Sequence, residues 1–368
     1  MSYSTINSIY LKFYLLVFFI MTIFAVVNMF TSLKYIRESY GSIQKFEPMT
    51  NVYYIKDFQE YNTKNDNLAH SSQSEVDVSS SKLPKLRSES SDIKRPYNCS
   101  DCFKHNFQYI ILNKKICDVK RDTSVELFLF ILTIHQNIKQ RTMIRNTWLS
   151  ISKNNTSDVR YVFLLGKSMH EAMNRKAIEE AAIFNDIIME DFKDSYQNLT
   201  YKTIMGLKYV SNYCKQTKYV FKTDDDMWIN IPALQRLLKT DGHKLETAVG
   251  GACRQSSNPI RKKSSKWYAS YSRYPGKTYP GFCSGTGYVL SVNVAQKVFE
   301  ISKDVPFYHL EDVYVALCAR KLGFKLIRLR GFVIPRKRNN TCVLKSDKVI
   351  TSHRVPPKSL KAIWEAKC

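Results

Sequence analysis

The sequence predicts an α/β protein with a mostly parallel central sheet and helices on both faces. Three observations carry that prediction. Apolar runs of strand length, rich in Phe, Leu, Ile and Val, recur after residue 125, as buried parallel strands do. Segments of helical composition separate them, the alternation that produces crossover connections. The fourth run, Tyr219-Val220-Phe221-Lys222-Thr223, ends in three consecutive acids, Asp224-Asp225-Asp226, and open α/β sheets bind ligands beyond such strand ends.

Residues 13–33 carry no charge between Lys12 and Lys34. About 20 apolar residues span a hydrocarbon core, and no small-residue cleavage site follows. The segment therefore reads as a single transmembrane signal-anchor that is not removed, with residues 1–12 as a cytosolic tail. Its flanking charges barely discriminate orientation. Glycosylation triplets beginning at Asn98, Asn154, Asn155, Asn198 and Asn339, together with nine cysteines, favour a lumenal remainder. Residues 34–120 read as a disordered stalk, because 71–92 is rich in Ser with Lys, Asp and Glu and cannot bury enough surface to offset chain entropy. Cys99 and Cys102, near its end, are expected to form disulfides at the edge of one folded domain, 121–368.

Within that domain residues 125–134 are expected to form the first strand, 139–149 a helix and 159–166 the second strand. A helix over 171–184, a short strand at 186–189, a helix over 199–214 and the fourth strand at 219–223 follow. Residues 279–291 read as a glycine-rich turn running into an apolar strand, where Gly285 and Gly287 allow a close approach of ligand or backbone. A last helix is expected over 315–322.

The formal charge is +24. From Arg254 to Lys277 there are seven Lys or Arg and no acid, and from Arg320 to Arg338 eight and no acid. A lumenal chain does not meet nucleic acid, so these tracts point to another polyanion: a nucleotide diphosphate, an acidic glycan or anionic lipid. A solvated basic face accounts for most of the individual residues.

Three adjacent carboxylates repel one another unless a cation compensates. Alternation along a strand sends Asp224 and Asp226 to one side and Asp225 to the other. Oxygen ligands at such a place suit Mg²⁺ or Mn²⁺, which join protein carboxylates to substrate phosphates. Arg141 and Arg145 are four apart on one helix face and could hold a diphosphate, or could be ordinary surface arginines. In Glu311-Asp312-Val313-Tyr314 an acid could cap the helix that follows or serve as a general base. His353 is a lone histidine and a candidate metal ligand. Trp267, Tyr268, Tyr271 and Tyr274 could stack on sugar faces or simply pack.

Taken in order, these segments resemble glycosyltransferase family 31, the β-1,3-galactosyltransferase and β-1,3-N-acetylglucosaminyltransferase group. The resemblance covers about 125–364. It rests on Arg141-Thr142-Met143-Ile144-Arg145-Asn146-Thr147-Trp148, Phe163-Leu164-Leu165-Gly166, and the stretch from Asp191 to Thr203. The acidic triplet with its strand, Ser284-Gly285-Thr286-Gly287-Tyr288 and Glu311-Asp312-Val313-Tyr314-Val315 complete it. The family commonly has glycine where this chain has Ala316, a departure on the side of the sugar acceptor.

The resemblance implies a GT-A nucleotide-sugar-binding fold on a type II Golgi membrane anchor, a UDP-sugar donor and Mn²⁺ or another divalent cation. It implies inverting transfer of a hexose or N-acetylhexosamine, galactose first, to an oligosaccharide on a glycoprotein or glycolipid through a β-1,3 linkage. By position it makes Asp226 and His353 the metal ligands and Asp312 the base. Asp224 and Asp225 would lie on the metal's water shell or the donor sugar, and Arg141 and Arg145 near the nucleotide. A catalytically inactive, Golgi-anchored glycan-binding or chaperone-like relative is the alternative. Oligomeric state stays open.

Overall fold

The structure is a computed structural model that describes residues 99–119, 124–333 and 340–368. The expected cytosolic tail, membrane anchor and most of the stalk, and the Asn98 and Asn339 triplets' first residues, lie outside the described residues. No helix among the described residues is long and apolar enough to cross a membrane.

In chain order the strands are β1 (Tyr109–Ile111), β2 (Leu127–Leu132), β3 (Val159–Lys167), β4 (Ile187–Lys193), β5 (Tyr219–Asp224), β6 (Met227–Ile229), β7 (Ala248–Arg254), β8 (Phe282–Ser291), β9 (Lys325–Arg328), β10 (Phe332–Val333) and β11 (Thr351–His353). The helices that matter here are α1 (Ile138–Asn146), α2 (Glu171–Phe184), α3 (Leu199–Tyr213), α4 (Ile231–Asp241), α5 (Val292–Ser302), α6 (Glu311–Lys321), α7 (Thr341–Lys345) and α8 (Pro357–Glu365).

Eight strands form one sheet in the order β1-β4-β3-β2-β5-β8-β7-β9. Its centre, β4-β3-β2-β5, is parallel throughout. β8 runs antiparallel to both β5 and β7, and β1 antiparallel to β4, so the sheet is mixed but mostly parallel. Strand β2 shows why its sequence is continuously apolar. Phe128, Phe130 and Leu132 enter a core with α3, α5 and α6 on one face. Leu127, Leu129 and Ile131 enter a second core with α1, α2, α4 and α8 on the other. A strand buried on both sides has no polar alternation to display, and each such side chain contributes roughly 1.5–3 kcal/mol by leaving water.

Three expectations need correction. The segment 103–117 belongs to the domain and not to a stalk: β1 pairs with β4, and Phe103, Ile111, Leu112 and Ile116 are buried. Phe103 packs against Tyr201, Phe307 and Tyr314, and Leu112 and Ile116 join the same core. The glycine-rich stretch is no turn, since Gly285 and Gly287 lie inside β8. The helix expected from 315 starts at Glu311, so the acids occupy its first turn, and two further helices, α7 and α8, follow it.

Eight of the nine cysteines form disulfides: Cys99–Cys102, Cys117–Cys214, Cys253–Cys283 and Cys342–Cys368. The ninth, Cys318, is buried in α6. Of the glycosylation triplets, Asn154 is exposed, whereas Asn155 exchanges two hydrogen bonds with the Tyr161 backbone.

Candidate active site

From β2 the chain moves outward to β3 and then β4; it then crosses back to add β5 on the other side of β2. The strand order therefore reverses between β2 and β5, which leaves a crevice beyond their carboxyl ends. Leu132 and Asp224 pair at that end, so the acidic triplet lies at the reversal point.

The triplet divides as strand alternation predicts. Asp224 and Asp226 are partly exposed, while Asp225 is buried. Asp225 accepts hydrogen bonds from Thr133 Oγ1 at 2.5 Å and Asn137 Nδ2 at 2.9 Å, and its carbonyl accepts one from Gln140 Nε2 at 2.7 Å. Burial pushes its carboxyl above the usual range against these hydrogen bonds, and the neighbouring Asp224 and Asp226 charges add to the rise. Asp225 thus anchors the turn from the inside.

Arg141 and Arg145 also face inward. Arg141 is fully buried and holds Glu180 through Nε at 2.9 Å and Nη2 at 2.5 Å. Its remaining N–H groups reach Thr133 Oγ1 and the carbonyls of Ile134 and His135. Arg145 holds Asp186 through two bonds of 2.7 and 2.8 Å and lies 2.8 Å from Glu180. The helix face they share is the one packed on the protein, so their donors are spent on internal carboxylates and carbonyls. Arg141 reaches the site only through Thr133, whose hydroxyl accepts from Arg141 and donates to Asp225.

Lys222 and Glu311 are functional candidates that sequence reasoning did not single out. Lys222 is buried within β5, and its ammonium lies 2.7 Å from Asp224 Oδ1 and 2.8 Å from Glu311 Oε1. It also donates to the Gly285 carbonyl. Burial opposes its charge, but Asp224 and Glu311 outweigh burial and hold its pKa above that of an ordinary lysine. The available signal was a lysine in the middle of an apolar strand, which must find a carboxylate. Glu311 also accepts from Thr203 Oγ1 at 3.1 Å and Tyr288 Oη at 2.9 Å. A Cβ at position 285 would collide with Glu311 Oε1, so the glycine in β8 makes room for this carboxylate.

Burial raises the Glu311 pKa to about 7, with Lys222 acting against the rise and Asp312 and Asp224 adding to it. The folded chain therefore keeps a proton that the unfolded chain releases above about pH 4.5, and stability falls as pH rises through that window to about 7. Glu311→Gln is expected to remove this downward slope. The check is the wild-type minus variant difference in urea midpoint, pH by pH; a flat difference would mean that the carboxylate ionises normally.

Asp312, half-buried in the first turn of α6, is held from two sides. Its Oδ2 accepts from the Gly285 N–H at 3.2 Å and its Oδ1 from the Val313 N–H at 2.9 Å. Burial raises its pKa, with those two hydrogen bonds and Lys222 pulling the other way. A carboxylate with a raised pKa is a better proton acceptor.

His353 reaches the triplet through the second, three-stranded sheet, β10-β11-β6. β11 runs antiparallel to β6 with His353 opposite Met227, which brings its Nε2 to 3.1 Å from Asp226 Oδ2. The next residue, Arg354, has φ 59°, a left-handed conformation costing a non-glycine residue roughly 1–2 kcal/mol. That turn lets Val355 N–H bond the Asp226 carbonyl at 2.8 Å. Among the described residues no three metal-ligating side chains converge. Asp226 and His353 offer one oxygen and one nitrogen, both partly exposed, a donor pair that fits Mn²⁺ when phosphate oxygens and water complete its shell.

A family model described as Galactosyltransferase matches residues 139–330, a span that takes in the triplet and Asp312 and ends before His353. Beta-1,3-galactosyltransferase 1 of Mus musculus and that of Homo sapiens are each 38% identical over 261 residues, 71% of this chain and 78% of theirs. Beta-1,3-galactosyltransferase 5 of Homo sapiens is 36% identical over 249 residues, 67% of this chain and 79% of its own. Among solved structures, the galactosyltransferase LgtC in complex with donor and acceptor sugar analogues overlaps 66% of this chain at 12% identity. Its TM-score of 0.36 marks a likeness too distant to inform fold or chemistry.

Proposed function

The chain belongs to the galactosyltransferase family, and from that premise we propose that it transfers galactose from UDP-galactose to a glycan hydroxyl, inverting the anomeric carbon to form a β-1,3 linkage. The observation that carries this reading is the convergence of the Asp226–His353 corner, Asp224 and Asp312 on the crevice where the strand order reverses. The same strand order supports a GT-A type of nucleotide-sugar fold. The acceptor would be an oligosaccharide on a glycoprotein or glycolipid, and the enzyme a type II protein of the Golgi membrane, anchored by residues 13–33, with 34–98 as stalk.

Asp226 and His353 would hold a divalent cation, whose chemistry when bound is to stabilise the negative charge that grows on UDP as the glycosidic bond breaks. Asp224, fixed by Lys222, orients the donor. Asp312 takes the proton from the acceptor hydroxyl as its oxygen attacks the anomeric carbon from the face opposite UDP. One base on that face suffices for inversion, and no covalent enzyme intermediate is needed.

The test is UDP release from UDP-galactose, UDP-N-acetylglucosamine and UDP-N-acetylgalactosamine, with and without Mn²⁺, by the full chain in detergent. Release that is fastest with UDP-galactose and requires the ion is expected. Asp226→Ala should raise the Mn²⁺ concentration for half-maximal rate by at least roughly tenfold. Absence of release from every donor would sink the proposal.

A further inference from the structure

The basic tract from Arg254 to Lys277 is not one uniform surface. Arg261 is structural: its guanidinium donates to the carbonyls of Ala269, Ser270, Tyr274 and Gly276 at 2.8–2.9 Å and lies 4.0 Å from the Tyr271 ring centre. Those bonds shape the segment between β7 and β8 into a fixed loop. Lys262, Lys263 and Lys266 are left exposed on it, and none pairs with a carboxylate among the described residues.

The loop docks beside the active site. Arg273 Nη1 bonds Gln197 Oε1 at 3.0 Å, and Lys266 Nζ lies 5.5 Å from the Tyr196 ring centre and 4.9 Å from that of Trp267. Tyr196 opens the short 3-10 turn, Tyr196–Asn198, that leads into α3. The first turns of α3 hold the start of α6, through Thr200 to the Tyr308 carbonyl and Thr203 to Glu311. The Tyr196 hydroxyl is accordingly pushed up to about 12 by burial, with Asp312 and Asp224 contributing. Tyr196 and Trp267 are nonetheless 39% and 44% exposed, two large aromatics open to solvent at the mouth of a carboxylate-lined crevice.

Two exposed rings each offer apolar surface, and the Lys266 ammonium lies within 5.5 Å of both ring centres. A sugar ring offers an apolar C–H face, so it fits the rings. A neutral sugar has no use for the cation. An anionic one does, because it would otherwise approach Asp312 and Asp224 against like charge. We propose that the acceptor is an anionic glycan whose ring rests on Tyr196 and Trp267 while Lys266, backed by Lys262 and Lys263, holds its carboxylate or sulfate. Calling that glycan the acceptor rests on the transferase reading above.

Binding of three hexasaccharides to the full chain, without donor, tests this: chitohexaose (neutral), hyaluronan (carboxylates only) and chondroitin 6-sulfate (carboxylates and sulfates). At least one anionic sugar is expected to bind about tenfold more tightly than the neutral one, with the difference shrinking as salt rises. The carboxylate-only arm identifies which anion is read. Lys266→Ala should lose most of that preference, Lys266→Arg should keep it, and Trp267→Ala should weaken all three sugars. Melting temperatures establish that the variants fold. Equal affinity for all three sugars, or a Lys266→Ala protein that keeps its preference, overturns the proposal. So does a Lys266→Ala defect confined to vesicles containing phosphatidylserine, which would make the loop a membrane contact. UDP release without acceptor reports the transferase reading separately: glycan binding without it leaves the anion-reading shelf standing and removes the word acceptor.

Discussion

An Asp312→Asn protein is expected to lose glycosyl transfer by a factor of about 10²–10⁴ while binding UDP as tightly as the wild type. The asparagine is isosteric, and its one side-chain oxygen can still accept from either the Gly285 or the Val313 N–H, which in the wild type bond different oxygens of the aspartate. What disappears is the ability to take a proton from the attacking hydroxyl. The corner of Asp226 and His353 lies where β6 begins and β11 ends, away from α6, and is untouched, so donor binding and turnover should separate. Kinetics with saturating acceptor, beside a UDP titration, check this. Normal transfer rates in the variant would remove Asp312 as the base, and a parallel loss of UDP affinity would make it a donor-binding residue.

Measured above about pH 7, where Glu311 is ionised in the wild type, Lys222→Met is expected to destabilise the fold by about 3–5 kcal/mol, the usual cost of leaving buried charge without its partner. The ammonium is 1% exposed and is the counter-charge to Glu311, itself 5% exposed, and to Asp224. Methionine fills much the same volume, so loss of packing is a minor part. Adding Glu311→Gln to Lys222→Met should recover a large share of that loss, since a neutral amide can still accept from Thr203 and Tyr288. Urea unfolding of the two single variants and the double variant reads the coupling. A single-variant loss under about 1 kcal/mol would mean that solvent reaches the cluster and screens it.

What the sequence disclosed follows from which interactions are local. The four parallel strands and the helices between them were legible because two-faced burial leaves continuous apolar runs, and α2 was read to the residue. β8 was misread because its glycines look like a turn. Gly285 and Gly287 are in the strand because Glu311 and Phe221 fill the space a Cβ would need, a fact of packing with no signature along the chain. β6, β10 and β11 have three residues or fewer, too short for any periodicity. Of the candidate site, the alternation of the triplet was legible and the partners of its members were not. Arg141 and Arg145 were correctly placed on one helix face, but which way that face points depends on Glu180 and Asp186. Lys222 stood in plain view inside an apolar strand and was passed over because its carboxylates come from the strand end and from α6.

The pairing of β11 with β6 has a consequence for how the enzyme comes to life in the cell. The acidic triplet leaves the ribosome well before the imidazole that completes its corner, and β7, β8, α5, α6 and β9 are all synthesised between them. A nascent chain halted short of residue 351 owns the aspartates but not the histidine. If Asp226 and His353 hold the ion as proposed, its capture would await the docking of β11 on β6, and competence would be a late event in biogenesis.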